Sequence, residues 1–178
     1  ARNNADPVPF ITDKSGVGDV SIHGDAIYFT SKRDGDDHTS LYKISLQGGE
    51  AQKVFSHDNS IYSYTLSEDG RYLAFTARSK ADETAKKLAK KGFKAEIYEE
   101  EHEFTHAWLV DLNADSPMAA QLTTEQQIYS VAFRPGHEQL LVRTAPTALV
   151  DDNYMSSQYQ LISYAGVEEA AFATTGKL

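Results

Sequence analysis

The stretch "EEEHEFTHAWLVDL", residues 99–112, admits two incompatible readings. Its His102-Glu103-Phe104-Thr105-His106 segment matches the H-E-x-x-H pattern, in which two histidines one helical turn apart share a zinc ion. That chemistry requires a helix. If Thr105–Leu112 is instead a strand, positions i and i+4 stand about 13 Å apart at ~3.3 Å per residue, and one ion cannot join them. No third ligand is suggested either, because His137 falls in a turn of a different segment.

A repeat decides for the strand. "DVSIHGDAIYFTSK" (19–32), "SYTLSEDGRYLAFTARSK" (63–80) and "SVAFRPGHEQLLVRTAPT" (130–147) align with Ile22, Leu66 and Phe133 in one column. Ile27, Leu73 and Leu140 then share a second column, and Phe29, Phe75 and Val142 a third. Each segment reads as a strand, a polar turn and a second strand. Turn chemistry supports this: Gly70 takes positive φ at little cost and Pro135 presets its own φ. Third strands follow in "LYKISLQGGE", "AWLVDLNADS" and "YQLISYAGVE", with Tyr42, Trp108 and Gln160 in register, then Ile44, Val110 and Ile162, then Leu46, Leu112 and Tyr164. A short fourth strand closes each unit at Val54-Phe55, Gln121-Leu122 and Ala171-Phe172. Four strands per unit at a period near 40–45 residues predict an all-β fold, a partial β-propeller of about three four-stranded antiparallel blades.

The spacing also locates an insertion. Ile22 and Leu66 are 44 residues apart, but Leu66 and Phe133 are 67 apart. The surplus lies between Phe75 and Leu112, in "SKADETAKKLAKKGFKAEIYEEEHEF". Ser79 with Asp82 is a capping-box variant, Ala81, Ala85, Leu88 and Ala89 form a narrow apolar stripe, and Gly92 suits C′. A short helix over 80–91 is expected. The predicted organisation is one domain, 1–178: an outer strand of a preceding blade at 1–12, blades at 17–56 and 60–123 with a helical insertion at 79–103, and a blade at 128–174. "NADPVPFIT" resembles the end of the second unit, and "TTGKL" reads as the lead-in to another, so the chain is expected to be part of a longer protein. An isolated arc would expose blade faces and strand edges, so self-association is expected too.

The net charge of −9 argues against a nucleic-acid partner, which needs clustered Lys and Arg. There is no cysteine, hence no disulfide or thiolate site, and the compartment stays open between cytoplasm and periplasm. No apolar run approaches the ~20 residues of a membrane span. "RDGDDH" (33–38) lacks the later glutamate of an EF-hand loop and reads as a turn. "SGVGD" (15–19) lacks the third glycine of a dinucleotide fingerprint, and no G-x-S-x-G nucleophile elbow occurs. Glu99, Glu100, Glu101 and Glu103 follow a basic block of Lys86, Lys87, Lys90, Lys91 and Lys94. They read either as a solvated, self-compensating face or as carboxylates that hold a positive group. Neither a catalytic residue, a metal nor a cofactor is assigned to the chain.

"SEDGRYLAFTARSK", "FTSKRDGDDHTSLYKISLQGGE" and "THAWLVDLNADSPMAAQLT" together resemble the N-terminal propeller of the prolyl oligopeptidase family of serine peptidases. A charged insertion ahead of "FTHAWLVDL" is similar to the acylaminoacyl-peptidase branch. The resemblance implies a C-terminal α/β-hydrolase domain as partner, carrying a Ser-Asp-His triad outside these residues. It also implies a propeller that covers that site and admits short or unfolded peptides. "YEEEHEF" (98–104) resembles the Tyr-Glu-Glu-Glu stretch with which dipeptidyl peptidases hold a substrate's amino terminus, which makes Glu99, Glu100 and Glu101 the substrate-binding candidates. In that branch the stretch precedes the repeat's S-P-D-G segment; here it precedes Trp108. TolB-type propellers share the S-x-D-G-x-x-L-A-F repeat, so a protein-binding propeller is the alternative.

Overall fold

Strand pairing, more than strand count, defines the architecture. The computed structural model describes Ile11, residues 15–79 and residues 104–165. The first sheet contains β1 (Val17–His23), β2 (Ala26–Ser31), β3 (Ser40–Ser45) and β4 (Gln52–Phe55), hydrogen-bonded in that order. The second contains β5 (Ser63–Leu66), β6 (Tyr72–Arg78), β7 (Thr105–Asp111) and β8 (Ala120–Gln121), again in chain order. The third contains β9 (Gln127–Phe133), β10 (Gln139–Ala145) and β11 (Gln158–Ser163). Every described pair is antiparallel, so each sheet is a meander.

The columns of the repeat are the cross-strand rungs of the sheets. Ile22 pairs with Ile27 and Ile27 with Ile44. Leu66 pairs with Leu73 and Leu73 with Val110. Phe133 pairs with Leu140 and Leu140 with Ile162. The backbone after each third strand repeats as well: the N–H groups of Leu46, Leu112 and Tyr164 donate to the carbonyls of Asp25, Arg71 and Glu138 at 2.8, 2.8 and 3.1 Å. Such agreement across three units is the signature of a blade repeat.

The sheets stack face to face. Alternate residues of β6 serve opposite neighbours. Leu73, Phe75 and Ala77 join Val110 against Leu41, Val54 and Phe55 of the first sheet. Ala74, with Ala107 and Leu109, packs on Ile128, Val131, Leu140 and Val142 of the third. A strand buried on both sides is almost wholly apolar, which is why β6 reads Leu-Ala-Phe-Thr-Ala; the one hydroxyl in that run, on Thr76, accepts the Ser63 N–H at 3.1 Å. Polar bonds set the register between the inner strands: Asp19, at positive φ in a bulge of β1, accepts the Tyr64 N–H at 3.2 Å, and Ser21 Oγ meets Tyr64 OH at 2.8 Å. The far face of the first sheet holds Phe29, Tyr42 and Ile44, with Ile11 against them.

A short helix, α1 (Val150–Met155), interrupts the β10–β11 connection and was not expected from sequence. It buries no side chain; Arg143 holds it through Nη2, which donates to Asn153 O at 2.9 Å and Asn153 Oδ1 at 2.6 Å. The expected helix over 80–91, the fourth strand at Ala171-Phe172 and the outer strand at 1–12, apart from Ile11, lie outside the described residues.

Candidate functional site

Meander sheets place their connections on two opposite rims, and function sits where such connections converge. One rim carries the β2–β3 connection, the β4–β5 crossover and the ends of β6 and β7. Here a cavity of about 340 Å³ is lined in part by Asp36, Asp37, His38, Lys53, His57 and Asp58. The Asp36 carboxylate accepts from Tyr42 OH at 2.6 Å and the Arg33 N–H at 3.1 Å, and pairs with Lys53 Nζ. Burial alone would raise its pKa, but these donors hold it below the usual carboxylate value. Residues 33–38 are thus a locked turn. Asn59 Nδ2 donates to Arg78 O at 3.3 Å and Ser79 O at 2.8 Å, which fixes the root of the insertion.

His57 forms the inner wall of this rim. Its ring lies 4.5 Å from the Trp108 ring and 5.3 Å from that of Phe75, and its Nδ1 accepts the Asn59 N–H at 3.2 Å. Burial lowers its pKa from the ordinary histidine value, and an accepting Nδ1 fits a neutral ring. His106, on β7, is likewise lowered by burial. A histidine whose folded pKa is depressed favours folding above the unfolded value of about 6.5, and that contribution is lost as pH falls below it. The chain is therefore expected to lose stability between about pH 7 and pH 5, with Trp108 emission, from the sole tryptophan, quenched in step. His57→Leu is expected to flatten the emission change. Thermal melts and fluorescence at stepped pH check this, and an unchanged emission profile in the variant would refute the assignment.

The opposite rim carries the hairpin turns. Between the second-sheet turn (67–71) and the third-sheet turn (134–138) opens a cleft of about 770 Å³. Its walls include Leu66, Tyr72, Phe133 and Tyr164; Tyr164 lies 6.0 Å from Tyr72 and 5.7 Å, edge-on, from Phe133. Exposed Glu68, Asp69 and Glu138 stand at its mouth. Burial raises the Tyr164 pKa first, and the Glu138 and Asp69 carboxylates add to it. In the sequence these turns read only as punctuation between strands. The signal for a cleft was the ring of aromatics, Tyr72, Phe133 and Tyr164, flanking both.

The substrate-binding candidates Glu99, Glu100 and Glu101 lie outside the described residues, as do His102 and Glu103. His106 is described: it sits on strand β7 opposite Ala77, buried, so the helix that H-E-x-x-H chemistry needs is absent at its second histidine.

Residues 14–83 match the family model for the dipeptidyl peptidase IV N-terminal region, the propeller region of the prolyl peptidase family. The matched span takes in the first sheet and the β5–β6 hairpin. No curated protein matches the chain. Among solved structures, TolB from Acinetobacter baumannii is 17% identical over 79% of this chain and 30% of its own, with a TM-score of 0.48. A structure from a study of two prolyl endopeptidases is 11% identical over 85% of this chain and 21% of its own, at 0.49. The β-propeller domain of the Trilobed protease from Pyrococcus furiosus is 12% identical over 82% and 43%, at 0.44. The chain thus spans less than half the length of each of these structures.

Proposed function

We propose that this chain is the non-catalytic propeller of a serine peptidase of the prolyl oligopeptidase family, of the acylaminoacyl-peptidase-like branch. In that role it covers an α/β-hydrolase domain and limits entry to short or unfolded peptides. The observation that supports the reading is the family match at 14–83, which takes in the whole first sheet and the first hairpin of the second. A stack of sheets with buried faces is stiff, so a gate built from it excludes folded proteins by size while extended chains still pass. The parent protein supplies the nucleophile; this chain supplies walls. Glu99, Glu100 and Glu101, on the connection between β6 and β7, are proposed to hold the amino terminus of a peptide substrate as paired carboxylates.

The test is the coding sequence that follows Leu178, together with fluorophosphonate labelling of the full-length protein. A G-x-S-x-G with a later Asp and His, and labelling lost when that Ser is changed to Ala, are expected. Further sheet repeats followed by a stop, with no labelling, would overturn the proposal in favour of a TolB-like protein-binding propeller.

A further inference from the structure

The hairpins of the first and second sheets close on each other, but those of the second and third do not. His23, at the end of β1, lies against Gly70 of the second-sheet turn; a Cβ there would come within 2.8 Å of His23 Nε2. Gly70 also has a φ of 72°, which favours glycine, and any Cβ there would displace the His23 ring. The repeat places Ser67 where the first sheet has His23, one residue after Leu66 as His23 is one after Ile22. Ser67 is too short to span the gap. It turns back into its own hairpin, with Oγ 2.6 Å from Asp69 Oδ1 and accepting the Tyr72 N–H at 2.8 Å. On the far side, a Cβ on Gly136 would meet nothing within 4 Å. The space that an imidazole fills between sheets one and two is therefore the cleft of about 770 Å³ between sheets two and three.

The chemistry of the cleft selects its occupant. Phe133, Tyr164 and the face of Tyr72 not covered by Arg71 offer aromatic surface. Three carboxylates, Glu68, Asp69 and Glu138, outnumber two nearby guanidiniums that are both engaged: Arg134, whose Nη1 is bonded to Gln139 Oε1 at 2.6 Å, and Arg71, which is bonded to Asp111. Aromatic faces beside carboxylates suit a planar cation that stacks and donates two parallel hydrogen bonds. The chain itself shows this mode: Arg71 lies 4.7 Å over the Tyr72 ring while its Nε and Nη2 donate to Asp111 Oδ2 at 2.9 and 2.6 Å. We propose that the cleft between the second and third hairpins binds an extended peptide segment through an arginine side chain, stacked against Tyr164 and paired with Glu138. The site does not depend on the peptidase reading, since it needs only these two sheets.

The test is a titration of the ¹⁵N-labelled chain with N-acetyl-Gly-Arg-Gly-amide, and with the same peptide carrying Glu in place of Arg. Saturable shifts of the Ala132, Phe133 and Gly136 amides are expected with the Arg peptide and none with the Glu peptide. Glu138→Gln, a change at an exposed position, is expected to weaken binding about fivefold. Ala132→Trp, which fills the cleft from an exposed strand position, is expected to abolish binding with an unchanged thermal midpoint. Equal binding of both peptides, full binding by Ala132→Trp, or no saturable shift up to about 10 mM peptide would each overturn the proposal.

Discussion

Phe75→Ala is expected to cost about 4 kcal/mol of folding stability, the middle of the range for a fully buried aromatic. Phe75 has no exposed surface and stands at the junction of two sheets, its ring 5.6 Å from Phe55 of the first sheet and stacked 6.4 Å from Trp108 of its own. Truncation removes contacts from both sheets, and neither can collapse into the void without dragging its ladder. For a chain of this size the thermal midpoint falls by roughly 10 °C. Leu141→Ala, at a position of β10 that is 39% exposed, is the matched control and is expected to cost less than about 1 kcal/mol. Urea unfolding monitored by Trp108 emission measures both. Equal costs would mean that the first two sheets do not pack face to face.

The second large effect is polar. Asp111, at the end of β7, is 8% exposed and accepts from Arg71 twice through Oδ2, and from the Asn113 N–H through Oδ1 at 2.9 Å. It ties the β5–β6 turn to the end of the third strand. Asp111→Ala leaves the Arg71 donors and a backbone N–H without their acceptor, at a cost of about 2 kcal/mol. The cost is limited because the Arg71 side chain is 42% exposed and water re-solvates it. The Arg71 hydrogen bonds hold the Asp111 pKa below the usual carboxylate value. The contribution is therefore present above the unfolded pKa of about 3.9 and is lost as pH falls from there through the folded value. The stability gap between wild type and Asp111→Ala is expected to narrow from pH 7 to about pH 3. A gap that stays constant over that range would remove the ionised pair from the account.

Much of the fold was legible because rungs, and not only strands, repeat. Leu66, Leu73 and Val110 could be aligned with Ile22, Ile27 and Ile44 before any pairing was known, and they are cross-strand partners. Helix α1 was illegible for a physical reason: Leu149 caps it without a side-chain bond, and the groups that hold it, Arg143 and Asn153, are ten residues apart. Propensity scales carry no such term. The cleft was hidden likewise. That Ser67 occupies the place of His23 can be read from the alignment, but that His23 leans across to Gly70 is a relation between sheets. By contrast, the strand reading of "THAWLVDL" followed from the repeat alone, and it decided against the helix that would have joined His102 to His106.

Arg78 and Thr105 stand opposite each other at the last rung between β6 and β7, and Asn59 pins the chain as it leaves Ser79. The two stumps of the insertion therefore emerge side by side from an anchored base. Closing such a gap costs only about 0.6 kcal/mol for each doubling of the connecting length. This position is a natural docking port for grafted modules: a reporter or epitope with adjacent termini could replace residues 80–103 while the ladder beneath keeps its register.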